Sequence, residues 1–502
     1  MLEFQIHIDL DEEGNGVLES THFEIIRNKF SWANPEYRFA PKWRKGQLSK
    51  KCYAINMDGK FPIGLLNEIY DFAKAFVPQL TTSQFTVSSR ARYFYEPSFL
   101  LPKNYELHHF DGWEYRDIQL KALERVFVRG RGIVKVGTGG GKGLIMASIC
   151  RTILDYNPCQ TIAILVPTHL VRKTYEEFMN DYGFTEDEVS PWLAKSKGEK
   201  GVENFTTPII IVGPNLSVSR SEKFHQHVGN RNLFLIDECH IIKDSSKITQ
   251  LVKSVKTNNI IGFTGTLPPE TQDLYSVLGH IGKVVCNVES SELKSKGLKA
   301  HSKVYATCFT GCSYKPTKEY VDDEGNDQVY TDTQMFNNEM EYLLKSPERT
   351  DYICRWVLKV CTGNTMIPID RDYHEEILRE KFADCGRKVI VVNGDTPEVE
   401  RSKIYADMEN ENGTILIVKT GVMREGISIK NLSFMVGFFA QKSFIRIIQL
   451  LGRIERLGGK EVPIFFDFFD TTYFSKKHYG ERKAFYKKDK TPVVEKKVKL
   501  KY

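Results

Sequence analysis

Apolar residues along this chain fall into short unbroken runs, separated by stretches whose apolar positions recur with the period of a helix. Runs of four to six apolar, β-branched residues bounded by turn formers read as buried strands. One series occupies 132–136, 161–166, 209–212, 233–236 and 260–263, and a second occupies 365–369, 388–392, 414–418, 434–437 and 463–468. Strands alternating with helical patterns predict βαβ units and parallel sheets. Two consecutive sets of about five strands predict two doubly wound α/β domains in tandem. Residues 1–100 have a different texture, ending in an amphipathic helix over 63–75, and read as a small α+β domain of their own.

The expected organisation is therefore an accessory domain at 1–100, a first α/β domain at 101–295, a second at 296–475 and a basic tail at 476–502. Within 314–333 a cluster of charge and turn formers (Asp322, Asp323, Glu324, Gly325, Asn326, Asp327) reads as a hairpin tip or an exposed loop. The last 20 or so residues alternate Lys with Val, Leu and Tyr, as a loose arm or an edge strand would.

Composition narrows the class. With 502 residues, 41% hydrophobic and 27% charged, the chain has a globular balance. No run approaches the ~18 apolar residues that cross a bilayer, and the N-terminus has no secretory pattern, so a cytoplasmic protein is expected. The ten cysteines show no CxxC pair, which argues against zinc. Net charge is only +6, but from Lys476 onward eleven basic residues face three acids, and from Arg27 to Lys51 eight face one. Such runs are solvated surface or nucleic-acid contacts.

Three segments carry chemistry. The strand at 132–136 runs into Gly137-Thr138-Gly139-Gly140-Gly141-Lys142-Gly143 and then a helical pattern. Strand, glycine turn, lysine and helix form a phosphate cradle: backbone N–H groups approach phosphate oxygens, the helix N-terminus adds positive potential, and Lys142 supplies a point charge. A flexible glycine turn would read alike. The pattern wants Ser or Thr for magnesium at position 143, and this chain has Gly143 there. The second segment, 233–236, ends in Asp237-Glu238-Cys239-His240, which places two carboxylates where ligands bind an open α/β sheet. Asp237 suits Mg²⁺ through its waters, and Glu238 suits a base that orients water. The third, Gln449-Leu450-Leu451-Gly452-Arg453-Ile454-Glu455-Arg456, sets Gln449, Arg453 and Arg456 on one helix face. No metal spacing links His108, His109, His240 or His478, and His240 is expected to hydrogen-bond across the domain cleft.

Together these segments resemble the superfamily 2 helicases and translocases, and the resemblance implies further motifs in a fixed order. Tyr115-Arg116-Asp117-Ile118-Gln119 matches the adenine-reading segment, with Arg116 and Gln119 at the nucleotide. Pro167-Thr168 and Gly213-Pro214-Asn215 look like loops that touch nucleic-acid phosphates. Phe263-Thr264-Gly265-Thr266 corresponds to motif III. The segment 364–369 is similar to motif IV, and Thr420-Gly421 with Glu425-Gly426-Ile427 to motif V, which brings Gly426 to the nucleotide and Thr420 and Gly421 to the nucleic acid. The segment from Gln449 to Arg456 fits motif VI, whose two arginines would stabilise γ-phosphate charge when the lobes close.

Residues 1–75 narrow the branch. Arg38, Lys42 and Arg44, interleaved with Tyr37, Phe39 and Trp43, are followed by Phe61-Pro62-Ile63-Gly64-Leu65, and resemble the N-terminal domain of phage UvsW-type branch-migration helicases. Gln47-Leu48-Ser49 departs from that pattern, which expects Trp-Asp-Gly. The basic residues suit backbone contacts with stacking, although an aromatic staple between strand and helix explains the rings as well. The resemblance implies two RecA-like domains facing one ATP with Mg²⁺. It further implies 3′-to-5′ unwinding of forked or Holliday-junction DNA in replication, recombination and repair, by a monomer in the host cytosol. An RNA helicase, or a nucleic-acid clamp that hydrolyses poorly because of Gly143, remains the alternative.

Overall fold

The computed structural model describes the chain except residues 1–2, 35–36, 38–45, 96–98, 100, 138, 196–200, 244–245, 270, 322–326, 424–428, 430 and 439–461. It divides into two compact units, Met1–Val288 and Glu289–Tyr502. Each is built on a seven-stranded, wholly parallel sheet, so the chain is α/β with tandem RecA-like domains and an N-terminal module.

In the first unit the strand order is Val284–Val288, Gly132–Val136, Asn259–Thr264, Leu233–Ile236, Ile162–Leu165, Ile209–Val212, Val189–Pro191. The runs Ile-Ala-Ile-Leu, Ile-Ile-Ile-Val and Leu-Phe-Leu-Ile are buried along their whole length. A parallel strand covered by helices on both faces leaves no position for a polar side chain, which is why these runs are continuous rather than alternating. Two strands escape the sequence pattern. Val189–Pro191 is three residues long, and Val284–Val288 carries an exposed Asn287 and an irregular register against the Gly132 strand.

Residues 6–87 form a four-stranded sheet ordered Lys60–Pro62, Asn15–Ser20, Ile6–Leu10, Phe85–Val87. The expected helix at 63–75 appears as a 3₁₀ turn, Ile63–Leu65, running into the helix Leu66–Phe76. This module sits on the helix Thr271–Ile281 through glycines. A Cβ on Gly64 would lie 2.3 Å from the Leu278 carbonyl oxygen, and one on Gly279 would lie 2.7 Å from Pro62 Cβ. Tyr275 from the same helix packs against Phe30 and Trp32 at ring separations of 5.5 and 6.2 Å. Backbone meets backbone at this junction, so the module is fixed to the first α/β domain and shares its core.

The second unit orders its strands Val389–Val392, Ile415–Lys419, Thr365–Ile369, Phe434–Gly437, Ile464–Asp470, Lys303–Thr310, Val493–Lys499. Of the two readings for the chain end, the edge strand holds: Val493–Lys499 pairs in parallel with Lys303–Thr310. The helix Tyr473–Lys488 buries Phe474, Tyr479, Phe485 and Tyr486 and turns its lysines outward. Arg482 reaches Asp467 at 2.8 Å, and Lys294 reaches Asp489 at 2.5 Å, all four side chains being buried. Arg349 and Asp470 form another buried pair at 3.0 Å, onto which the Tyr502 hydroxyl donates. Basic residues that read as a tail thus include structural cations. The segment 314–333 holds an antiparallel pair, Glu319–Val321 with Asp327–Val329, as a hairpin requires. No helix among the described residues is long and apolar enough to cross a membrane.

Gly64→Val pushes methyl groups into the Leu278 carbonyl. The expected loss is about 1–3 kcal/mol, the range for overpacked sites, with the N-terminal module becoming the first part cut in limited proteolysis. A wild-type denaturation midpoint and cleavage pattern would show that the junction has slack.

Candidate active site

The phosphate-cradle residues gather at the C-terminal edge of the first sheet. Gly139 and Gly141 have φ of +88° and +78°, values that side chains resist. A Cβ on Gly140 would meet Val136 Cγ1 at 2.1 Å. The helix Lys142–Tyr156 begins directly after Gly141, and its first-turn N–H groups have no acceptor within the helix. Gly137 holds the loop's base, its N–H donating to the Val288 carbonyl at 3.3 Å.

Arg116 and Gln119 grip this loop from beneath. The Gln119 Oε1 accepts from the Arg116 N–H at 2.9 Å, its Nε2 donates to the Gly140 carbonyl at 3.4 Å, and Arg116 Nη1 donates to the Gly139 carbonyl at 3.2 Å. Gln119 is 2% exposed, so in this state its amide serves the loop backbone. Tyr115 fixes the segment by donating to the His108 carbonyl and meeting the Ser148 hydroxyl at 2.8 Å.

Asp237 and Glu238 leave the Leu233–Ile236 strand, two positions away in the sheet from Gly132–Val136, toward the same place. Glu238 adopts φ +49°, a left-handed conformation that is costly for a non-glycine residue and typical of a functional turn. That turn is how two consecutive carboxylates reach one site. Glu238 Oε1 lies 3.9 Å from Lys142 Nζ, and Glu238 Oε2 lies 3.2 Å from His240 Nδ1. The same Nδ1 is 3.1 Å from Thr264 Oγ1, whose hydroxyl donates to the Thr266 carbonyl at 2.7 Å. His240 therefore bridges the acid pair to the Thr264–Thr266 segment inside the first unit, correcting the expectation of a contact across a cleft. Its position two residues after Glu238 and the buried Thr264 at the next strand end were the available signals.

Burial, and next the charge of Glu238, push the Asp237 carboxyl up to about 6, against the pull of Lys142. Its Oδ1 is buried with no hydrogen-bond partner among the described residues. A buried acceptor beside a second carboxylate suits a hydrated divalent cation, so these residues fit Mg²⁺.

The expected nucleic-acid loops end the adjacent parallel strands Ile162–Leu165 and Ile209–Val212. The Asn215 N–H donates to Thr168 Oγ1 at 3.3 Å, and a Cβ on Gly213 would come within 2.9 Å of Thr168 Cα. Pro167, Thr168, Gly213 and Asn215 are thus one continuous edge, with Thr168 and Asn215 exposed. In the second unit Thr420 is buried, its hydroxyl donating to Asp370, whereas Gly421 opens to free space. Arg38, Lys42, Arg44, Thr138, Gly426, Gln449, Arg453 and Arg456 lie outside the described residues.

Known proteins are similar to this chain along most of its length. The family described as "Type III restriction enzyme, res subunit" matches residues 112–269, "Helicase conserved C-terminal domain" matches 349–458, and "DNA helicase UvsW, N-terminal" matches 13–81. The ATP-dependent DNA helicase UvsW of Enterobacteria phage T4 is 22% identical over 95% of this chain and 92% of its own length. A protein of Kineococcus radiotolerans named DNA 3′-5′ helicase XPB is 24% identical over 34% of this chain and 29% of its own. Among solved structures, Saccharomyces cerevisiae Dbp5 bound to RNA and ADP BeF3 superposes with a TM-score of 0.51 at 16% identity, covering 76% of this chain and 89% of that one, a likeness of fold.

The raised Asp237 carboxyl has a signed consequence. Its folded pKa of about 6 lies above the ordinary 3.8, so its ionised form costs stability above that window and nothing below it. Asp237→Asn is expected to melt with the wild type near pH 3.5, then increasingly above it up to about pH 6, with a constant gap beyond. Thermal melts of the metal-free proteins across that range check this; a gap that does not change with pH would place the Asp237 charge in solvent.

Proposed function

We propose that this chain, a UvsW-like superfamily 2 enzyme and an ATP-dependent DNA helicase, hydrolyses ATP at the glycine-loop edge of its first sheet and so unwinds and branch-migrates forked or Holliday-junction DNA. The observation that carries this reading is the convergence of Lys142, Asp237 and Glu238 on one sheet edge beneath a glycine turn.

The chemistry follows from these side chains. Lys142 and the N–H groups of Gly139, Gly141 and Gly143 hold the β- and γ-phosphates, displacing the Lys142–Glu238 contact. Glu238, released from Lys142 and steadied by His240, orients a water in line with the γ-phosphate and takes its proton. Asp237 would hold Mg²⁺ through its waters, and the ion would supply positive charge to the phosphates. The resemblance assigns Arg116 and Gln119 to the adenine, for which Gln119 would exchange its loop partners, and Gly426 to the nucleotide. Gln449, Arg453 and Arg456 supply positive charge as the γ-phosphate leaves.

The His240–Thr264 bridge links the hydrolytic carboxylate to the Thr264–Thr266 segment, a short route from phosphate release to backbone movement. Pro167, Thr168, Gly213 and Asn215, with Gly421, hold one strand by its phosphates, the buried Thr420 fixing the Gly421 turn through Asp370, and Arg38, Lys42 and Arg44 hold a duplex arm. Unwinding runs 3′ to 5′ on forks and four-way junctions during replication, recombination and repair, by a monomer in the host cytosol. Contacts to phosphate make affinity fall steeply with salt and depend little on sequence.

ATP turnover with and without forked DNA tests the reading. Wild type is expected to be stimulated by the fork. Glu238→Gln should lose about 10²–10⁴-fold in kcat while still binding nucleotide, and Lys142→Ala should lose affinity as well. Wild-type turnover no faster than these variants would favour the clamp, for which Gly143 is the specific observation, and equal stimulation by forked RNA would favour an RNA substrate. In a separate assay Arg456→Ala is expected to leave nucleotide affinity within a few-fold while hydrolysis collapses; equal losses in both would make this arginine a ground-state contact.

A further inference from the structure

The missing hydroxyl at position 143 has a neighbour that occupies its space. A Cβ built on Gly143 would lie 3.1 Å from the Tyr182 hydroxyl oxygen and 3.7 Å from Glu177 Oε2. A serine oxygen stands about 1.4 Å from its Cβ, so the phenol reaches the volume that a residue-143 hydroxyl would fill. Tyr182 follows the helix Val171–Asn180, and its ring is fixed among Phe110, Trp113 and Phe178 at separations of 5.5, 5.6 and 5.9 Å. Trp113 is held in turn by its Nε1–H, which donates to the Asp181 carbonyl at 3.0 Å. The Tyr182 side chain is thus locked with its hydroxyl end against the first turn of the Lys142–Tyr156 helix.

We propose that Tyr182 replaces the Ser or Thr of the phosphate loop, its phenolic hydroxyl binding the hydrated Mg²⁺ of the bound nucleotide. The inference rests on the nucleotide site proposed above. Burial first, then the charges of Glu177 and Asp181, keep this hydroxyl protonated at all working pH values. It is therefore a neutral donor and acceptor, as a serine or threonine would be. The exchange also accounts for glycine at 143: any side chain there would press on the phenol, and the tightness at 3.1 Å leaves little room for both. Nothing in the local sequence signals the partner, because Tyr182 lies 39 positions downstream, on another element.

The test is the Mg²⁺ dependence of ADP affinity, measured by equilibrium binding to the whole chain with Mg²⁺ and with EDTA. Tyr182→Phe keeps the ring and removes only the oxygen. It is expected to weaken Mg²⁺-supported ADP binding about tenfold and to raise the half-saturating Mg²⁺ concentration, while binding in EDTA and the melting temperature stay at wild-type values. Gly143→Ser alone should be impaired by the contact with the phenol. Gly143→Ser in the Tyr182→Phe background should regain most of the Mg²⁺ response, since the hydroxyl is back and the crowding is relieved. An unchanged Mg²⁺ response in Tyr182→Phe, or equal losses with and without Mg²⁺, overturns the inference and leaves the nucleotide site standing. Wild-type protein that binds no ADP in either condition overturns both.

Discussion

A carboxylate buried at the end of an apolar strand is the constraint around which the first unit is arranged. Asp237 follows four fully buried residues, and removing its charge from water raises its protonation threshold well above the ordinary carboxylate value. Glu238 beside it adds a like charge, and Lys142 offsets part of both from the neighbouring phosphate loop. Alone, this cluster is two negative groups with one cation in a half-buried corner, an unstable balance that favours binding more positive charge. A hydrated divalent cation would supply that charge, and Asp237, with its unpartnered buried Oδ1, is placed to hold it. The left-handed turn at Glu238 belongs to the same arrangement, because an ordinary extended residue would send the second carboxylate to the other face of the sheet.

The rest of the molecule uses rigidity in a different way. The N-terminal module meets the Thr271–Ile281 helix through two glycines whose missing side chains let the backbones approach. A module attached so closely is one body with the sheet edge that holds the phosphate loop. In the second unit three buried pairs fix elements to one another: Arg482 with Asp467 ties the helix Tyr473–Lys488 to the sheet, Lys294 with Asp489 ties the end of that helix to the helix Ser290–Ser295, and Arg349 with Asp470 ties the helix Pro347–Val360 to the sheet. Buried pairs of this kind specify position more than they add stability, and losing one partner would leave a buried charge. The Tyr502 hydroxyl on Asp470 and its carbonyl on Ser313 extend that fixing to the chain end.

How legible this was depended on whether a feature was written locally. Strands such as Ile209–Val212 and Leu233–Ile236 were readable because burial on both faces leaves an unbroken apolar run. Lys303–Thr310 was not, since its Lys303, Tyr305 and Thr310 are only partly buried beside the edge. Val493–Lys499, with its exposed Glu495, Lys496 and Lys497, carries the composition of a solvated arm, and only its pairing makes it a strand. Lys142, Asp237 and Glu238 were legible because glycine spacing and strand ends mark them in one dimension. The His240 bridge and the place of Gln119 under the loop were not, because which partner a polar side chain takes is settled by packing between elements.

That distinction bears on how a departure from a motif should be weighed. Gly143 read alone is a lost metal hydroxyl, and it lowers the expectation of hydrolysis. In three dimensions the same glycine is the space into which the Tyr182 phenol projects, so loss and replacement are one feature seen from two elements. A motif specifies atoms at positions in space, and a hydroxyl delivered from the end of another helix satisfies it equally if its carrier is held still. The aromatic contacts around Tyr182 do that holding, and the hydrogen bond from Trp113 to the Asp181 carbonyl fixes the backbone that presents it. The loop then gains freedom where it needs it: glycines at 139, 140, 141 and 143 let the backbone close around phosphate, while the oxygen comes from a rigid neighbour.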